Sequence, residues 1–280
     1  MNNRLALIKI VLGLFLSQVS VTSFAAEESS GDLRAATQNP ISSMYSLPFK
    51  FIFDNGAKNG DANFLNIQPV LPATVGDLNL VSRFIIPVVN APGGIPGLPD
   101  NPGVGDPTED GRATGLGDIN YSLFVNPLET KGTLIWGVGG SITAPTATDD
   151  RLGSGKWSAG PTAVGLVQPK WGTYGLLARH LWSFEGQEDR RDVNQSLIEP
   201  FINYNLDNGW YLISDSVITV DWEITSGDKM TLPLGGGFGK IFKIGSQAMN
   251  MRVEAYSNVI RPDGAPTWTI GGTIQFLFPR

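Results

Sequence analysis

The 280-residue chain has no cysteine and one histidine, His180. Without cysteine there is no disulfide framework, zinc–thiolate site or thiol nucleophile, so the fold rests on its backbone ladder and its packing. Positive charge is also short. Twenty Lys and Arg stand against 26 Asp and Glu, a formal net charge of −6, which lacks the basic footprint of a nucleic-acid binder. Beyond the first residues no apolar run approaches the ~20 residues of a transmembrane helix, and none shows a helical period.

The chain begins with a different character. Arg4 and Lys9 precede an apolar run, Ile10 to Val21, interrupted by Gly13, Ser17, Gln18 and Ser20. Ser23-Phe24-Ala25 then offers small residues where a signal peptidase reads them. Residues 1–25 are therefore expected to be a cleaved secretory signal. The run is too short, and too polar after Leu16, to anchor the chain across ~30 Å of hydrocarbon. Cleavage removes two basic residues and no acidic ones, moving the net charge from −6 to −8. A polar lead-in is expected over 26–40 and a single β-domain over 41–280.

Gly 34, Pro 19 and 10% aromatic residues suit many strands joined by turns. The patterning agrees. Trp268, Ile270, Gly272, Ile274, Phe276 and Phe278 alternate with Thr267, Thr269, Gly271, Thr273, Gln275 and Leu277. Side chains of a strand alternate between faces, so this segment has one apolar and one mostly polar face. Ile41, Tyr45, Leu47, Phe49, Phe51 and Phe53 form a similar stripe against Ser42, Ser46, Lys50 and Asp54. About twelve such segments run near 41–54, 62–71, 77–90, 115–126, 132–145, 156–168, 173–185, 194–206, 209–222, 229–240, 247–260 and 267–278.

An even count suits a single-chain outer-membrane barrel. The connections point the same way. Those near Gly76, Leu128, Trp171, Asp207 and Ile244 are short, while the alternate ones are mostly longer and carry acid, such as Asp106, Glu109, Asp110, Asp149, Asp150, Glu188, Asp189 and Asp192. Short periplasmic turns alternating with long external loops mark such barrels, and both termini then lie in the periplasm. The expected fold class is all-β, a transmembrane antiparallel up-and-down β-barrel of about 12 strands, located in the outer membrane of a Gram-negative cell. Pro48, Pro69, Pro87, Pro161, Pro200 and Pro233 fall in or near these strands. Each removes a ladder donor, and a closed barrel has no edge strand to hide that loss, which counts against the barrel unless bulges or strand ends absorb it.

Several motifs resemble those of a known family. Gly115-Leu116-Gly117-Asp118, opening a strand, resembles the Gly-x-Gly-Asp signature of the outer-membrane transporters of the phenol meta-pathway degradation type. Residues 145–157, Pro-Thr-Ala-Thr-Asp-Asp-Arg-Leu-Gly-Ser-Gly-Lys-Trp, with Gly160-Pro161-Thr162, are similar to bacterial proteins often labelled "neuromedin U", although nothing here resembles a peptide hormone. Asn66-Ile67-Gln68-Pro69-Val70, His180-Leu181-Trp182-Ser183-Phe184 and Asp192-Val193-Asn194-Gln195 fit the same group. The resemblance implies an outer-membrane barrel for uptake of small apolar or aromatic compounds. It implies no catalytic or binding residue.

Charged side chains fall on the polar faces of several strands: Lys50, Arg83, Asp118, Arg179, Glu199, Asp215, Arg252 and Glu254. An Arg at the lipid midplane costs about 2–4 kcal/mol, so these are expected to face the lumen. There they either line a pore or form a packed ion-pair network; a barrel of this size can be filled or narrowly open.

His180 shares a face with Tyr174, Leu176, Trp182 and Phe184, which suits a residue of the interfacial aromatic belt. A membrane-embedded hydrolase using His180 would need a serine in reach and a third group orienting the imidazole. No lipase motif surrounds it. The aspartates at 149–150 and 188–192 match no EF-hand spacing, and Gly235-Gly236-Gly237-Phe238-Gly239 precedes no helix that could present amides to a phosphate. No cofactor or metal is expected.

The expected function is that of a channel or passive transporter. Its expected partners are membrane lipid, lipopolysaccharide and a small-molecule solute. A closed structural or adhesive barrel and the His180 hydrolase are the alternatives. The longest connection, Ala91 to Thr114, carries Ile95, Leu98 and Val104 among five prolines, an odd composition for a loop reaching only into water. It is expected to fold into the barrel mouth, because long loops without regular structure are usually functional or disordered.

Overall fold

A computed structural model describes residues 30–99, 105, 111–129 and 132–279. The signal segment and the acidic loop residues Asp106, Glu109 and Asp110 lie outside the described residues.

Twelve strands form a closed antiparallel barrel. They are β1 (Tyr45–Asn55), β2 (Ala62–Ile67 and Val70–Val75), β3 (Leu78–Pro92), β4 (Arg112–Leu116 and Ile119–Pro127), β5 (Leu134–Ala144) and β6 (Lys156–Val167). The second half is β7 (Gly172–Gly186), β8 (Asn194–Asn205), β9 (Trp210–Asp215 and Ile218–Asp221), β10 (Met230–Ile244), β11 (Gln247–Ile260) and β12 (Trp268–Phe278). Neighbours in sequence pair as neighbours in space, and β1 closes on β12 in unbroken register from Tyr45↔Phe278 to Asn55↔Trp268. Closure leaves no free edge.

The prolines sit where the ladder is interrupted. Pro69 lies in the break of β2, and Pro48 and Pro87 flank it on β1 and β3. Pro200 faces the break of β9, Pro161 falls in a gap of the β6–β7 ladder, and Pro233 marks the register shift between β10 and β11. The missing amide donors therefore fall where few ladder bonds are made.

Burial follows period two. On β12, Gly271, Thr273 and Leu277 are buried, whereas Trp268, Ile270 and Phe278 are exposed. Phe51, Phe53, Trp136, Val138, Leu176, Ile202, Leu212, Leu234, Val253 and Ile270 are among the apolar side chains exposed on the outer wall. Aromatics gather at its two ends. Trp171, Tyr174 and Tyr204 stack near the short turns, with ring centroids 5.7 and 6.1 Å from Trp171. Trp182, Phe184, Trp222 and Trp268 are exposed at the end with the long loops. An apolar band between aromatic girdles is the surface that a bilayer selects.

Two segments enter the barrel, one at each end. The sequence pattern puts a non-helical lead-in before the barrel and counts Ile41 with the outward stripe of the first strand; the structure corrects both points. A helix α1 (Ser30–Gln38) forms there, β1 begins only at Tyr45, and Ile41 is 1% exposed. Leu33 of α1 packs with Met44, Tyr211, Ile213, Ile241, Ala248 and Leu277, and Ile41 packs with Val81, Phe124, Val164, Leu166, Leu177 and Phe201. Apart from Met44, these are inward-facing strand residues, so the segment plugs the short-turn end.

Hydrogen bonds seat the plug. Gln168 Nε2 donates to Ala35 O at 2.8 Å, Thr173 Oγ1 to Gln38 Oε1 at 2.8 Å, and Gln38 Nε2 to Asn205 Oδ1 at 3.0 Å.

At the opposite mouth the described part of the connection between β3 and β4 turns inward. Ile95 and Leu98 are each 3% exposed and pack with Ile52, Phe64, Val89 and Leu152. Three barrel side chains hold its carbonyls: Thr219 Oγ1 to Gly97 O, Gln195 Nε2 to Leu98 O and Arg179 Nη2 to Pro99 O, at 3.3–3.4 Å. Gly97 has φ +78°, and a Cβ there would lie 2.4 Å from Thr231 Oγ1, so only glycine fits the turn.

Candidate functional site

Between plug and mouth loop, inward side chains of β1, β3, β8, β9 and β11 bring six charges together: Lys50, Arg83, Glu199, Asp215, Arg252 and Glu254. Arg252 is the hub. Its Nη1 lies 2.9 Å from Asp215 Oδ2 and its Nε 3.3 Å from Glu254 Oε1. Tyr256 Oη donates to Asp215 Oδ1 at 2.7 Å and accepts from the Asp215 amide at 2.9 Å. Tyr211 Oη donates to Asn250 Oδ1 at 2.7 Å, and Asn250 Nδ2 donates to Gln275 Oε1 at 3.1 Å. A buried charge is tolerated when paired and hydrogen-bonded in this way.

Lys50, Arg83 and Glu199 are held differently. Among the described residues, no hydrogen bond or ion pair joins their side chains to another side chain or to backbone. All three line a cavity of about 160 Å³ whose far wall is the plug, from Ala36 to Ser42, with Met44, Val70, Leu177, Phe201 and Ile213 as apolar lining. A second cavity of about 80 Å³ lies under the mouth loop, between Ile52, Phe64, Leu98, Pro99, Val217 and Pro233. Lys50 and Asp215 line both, so the charged cluster stands between the two.

Asp118 and Arg179 also point inward but belong elsewhere. Asp118, in the break of β4, accepts from the Ser154 amide and hydroxyl, both at 2.7 Å, and from the Ala147 amide at 3.2 Å. Thr148 Oγ1 accepts from the Leu116 amide at 3.1 Å, and Thr146 Oγ1 from the Ile119 amide at 2.9 Å. The Gly115–Asp118 motif and the block from Pro145 thus form one locked unit. Arg179 supports the mouth loop through Pro99.

His180 lies on the outer wall, its ring 3.9 Å from that of Trp182. The structure adds two partners that the local sequence does not reveal. Nδ1 meets Ser196 Oγ at 2.8 Å, Nε2 meets Asn194 Oδ1 at 3.1 Å, and Trp222 Nε1 donates to Ser196 Oγ at 2.9 Å. With Nε2–H donating to Asn194, Ser196 donates to Nδ1. Ser196 pairs with His180 on one side and Val220 on the other, so its backbone lies in a continuous ladder.

Asp149 caps a short turn and pairs with Arg151 at 2.8 Å, which holds its carboxyl below the usual range. Asp192 pairs with Lys156 at 3.2 Å, with the same effect on its carboxyl. Among the described residues no group of three or more His, Cys, Asp or Glu could hold a metal ion.

Parity on β11 would have found Asn250 and Tyr256, which share the face of Arg252 and Glu254. No local signal marks Leu33 or Gln38 as interior residues.

The architecture is that of an outer-membrane β-barrel. No protein-family model and no curated protein matches the chain. Among solved structures it is similar to a COG4313 outer membrane channel from Pseudomonas putida F1, with a TM-score of 0.56 and 16% identity over 90% of this chain and 100% of that one. More distant likenesses are outer membrane phospholipase A from Escherichia coli (TM-score 0.43, 10% identity, 89% of this chain and 98% of that one) and the P. putida toluene transporter TodX (TM-score 0.42, 8% identity, 90% and 93%). The likeness to the first is one of fold.

Proposed function

We propose that the chain is an outer-membrane channel or passive transporter for small solutes, with the mouth loop and the N-terminal plug as barriers in series. The observation that carries this reading is the pair of cavities that share Lys50 and Asp215 between those barriers. A barrel serving only as a rigid wall has no need of two cavities bounded by one charged cluster. The apolar walls beside the charges favour small molecules with an apolar or aromatic body, as the family resemblance implies. Lys50, Arg83, Glu199, Asp215, Arg252 and Glu254 are the lining of the path in this reading, with Asp118 and Arg179 holding the loops at its mouth.

Reconstitution tests it. Liposomes containing the folded protein are expected to take up ring-sized solutes faster than empty liposomes, and faster still when residues 30–39 are deleted. Uptake at the empty-liposome rate by both forms would leave a closed structural barrel.

One observation favours a second reading, a hydrolase on the outer wall: His180 holds Ser196 and Asn194 on its two ring nitrogens. Hydrolysis also needs donors for the oxyanion, and ladder pairing on both sides of Ser196 occupies its own amide. Polar groups at a lipid interface need partners of this kind in any case. Incubation with a fluorophosphonate probe is expected to leave Ser196 unmodified; its labelling, lost in His180→Ala, would favour the hydrolase.

A further inference from the structure

We infer that the larger cavity is a binding site for a small carboxylate carrying a single apolar ring, with Arg83 as the residue that takes the carboxylate. The inference rests on the transport reading above and names the solute class.

The hydrogen-bond inventory separates the six charges. Arg252 is ion-paired with Asp215 and Glu254, whereas the Arg83 and Lys50 side chains line the cavity with no acceptor from the described residues. A guanidinium offers five donors in a planar fork and an ammonium three. An Arg kept inside a barrel with its fork unused is open to the oxygens of a guest, and a carboxylate matches that fork with two parallel bonds. Glu199 is the nearby acid that acts on Arg83 electrostatically, without contact, so it leaves the fork open.

The walls set the rest of the guest. Met44, Val70, Leu177, Phe201 and Ile213 supply apolar lining alongside the charges. The volume of about 160 Å³ is similar to the roughly 150 Å³ of a cavity that accepts benzene. A single ring fits within it. The plug forms the far wall, so bound guest and seated plug are neighbours, and Thr37, Gln38 and Asn39 stand on the cavity lining.

Isothermal titration of the full folded chain in detergent micelles tests this directly, using benzoate, benzyl alcohol and benzylamine. Benzoate is expected to bind about ten-fold or more tightly than either analogue, as a charge-assisted bond allows. Arg83→Gln is expected to remove that preference, Arg83→Lys to restore part of it, and Lys243→Gln, an exposed position away from both cavities, to keep it. Equal binding of the three probes, tighter binding of benzylamine, or no binding by any of them overturns the inference, and these comparisons need no variant. Binding is read without flux. Benzoate binding in a protein that transports nothing would refute the channel and leave the site, whereas transport without benzoate preference would do the reverse.

Discussion

Asp118 Oδ2 accepts two hydrogen bonds from Ser154, one from its amide and one from its hydroxyl, each 2.7 Å long, across 36 residues of sequence. The other carboxylate oxygen takes the Ala147 amide at 3.2 Å. One side chain on an interrupted strand thereby fixes both ends of the loop that joins β5 to β6. The loop in turn places Leu152, fully buried, against Ile95 and Leu98 of the mouth segment.

Removing that carboxylate leaves two amides and a hydroxyl without their acceptor. Asp118→Ala is expected to lower stability by about 1–3 kcal/mol for each buried donor left unsatisfied. Ser154→Ala removes the hydroxyl bond to Asp118 and the acceptor of the Lys156 amide at 3.2 Å but keeps both amide bonds to the carboxylate, and is expected to cost about 1–3 kcal/mol in total, less than Asp118→Ala. Urea titrations of the micelle-folded protein, read by tryptophan fluorescence, check the ranking. Equal midpoints for both variants and the parent would show that the loop is not held through Asp118.

The two arginines of the interior are expected to behave differently. Arg252→Met strands Asp215 and Glu254 without their counter-charge and is expected to cost about 3–5 kcal/mol, as for a broken buried ion pair. Arg83→Met strands no hydrogen-bonded partner and is expected to cost far less, or to stabilise. The same titrations decide. A larger loss for Arg83→Met would mean that the cluster is organised around Arg83.

The last strand gives the sharpest test of which face is which. Ile274 stands on the outward parity with Ile270, and Gln275 on the inward parity with Thr273. Ile274→Arg places a charge against lipid at a cost of about 2–4 kcal/mol near the midplane; Gln275→Arg places it in the polar interior. Heat-modifiable migration after refolding into lipid is expected to fall sharply for the first variant and little for the second. Equal yields would contradict the register.

The mouth loop offers a prediction on flux. Replacing residues 93–110 with a short Gly/Ser linker removes Ile95 and Leu98 from the mouth cluster and the three carbonyl contacts to Arg179, Gln195 and Thr219. Folding is expected to survive, because the closed ladder is untouched, and solute uptake or conductance is expected to rise. Normal folding with unchanged uptake would leave the loop without a gating role.

The strands were legible because a wall between lipid and interior imposes a two-residue period that any reader of the sequence can count. The outward stripe from Trp268 to Phe278 and the inward charges show it most clearly. The alternation of short turns with long, acidic connections made closure legible too. Helix α1 was not, for a physical reason. Nine residues with few apolar side chains cannot hold a helix by themselves. It is held because Leu33 meets strand residues, and the Ala35 carbonyl meets Gln168 in a turn, more than a hundred residues away.

By itself, the sequence determined the class of fold, the number of strands and which face of each strand is polar. Those properties depend on neighbours one or two positions apart. Only the tertiary structure decided that Lys50, Arg83, Glu199, Asp215, Arg252 and Glu254 meet while Asp118 and Arg179 hold loops. Strand tilt and stagger set the height of each inward side chain along the barrel axis, and no local pattern records that height. The same long-range geometry brought Ser196 to His180 and seated the plug and the mouth loop, whose contacts exist only once the barrel has closed around them.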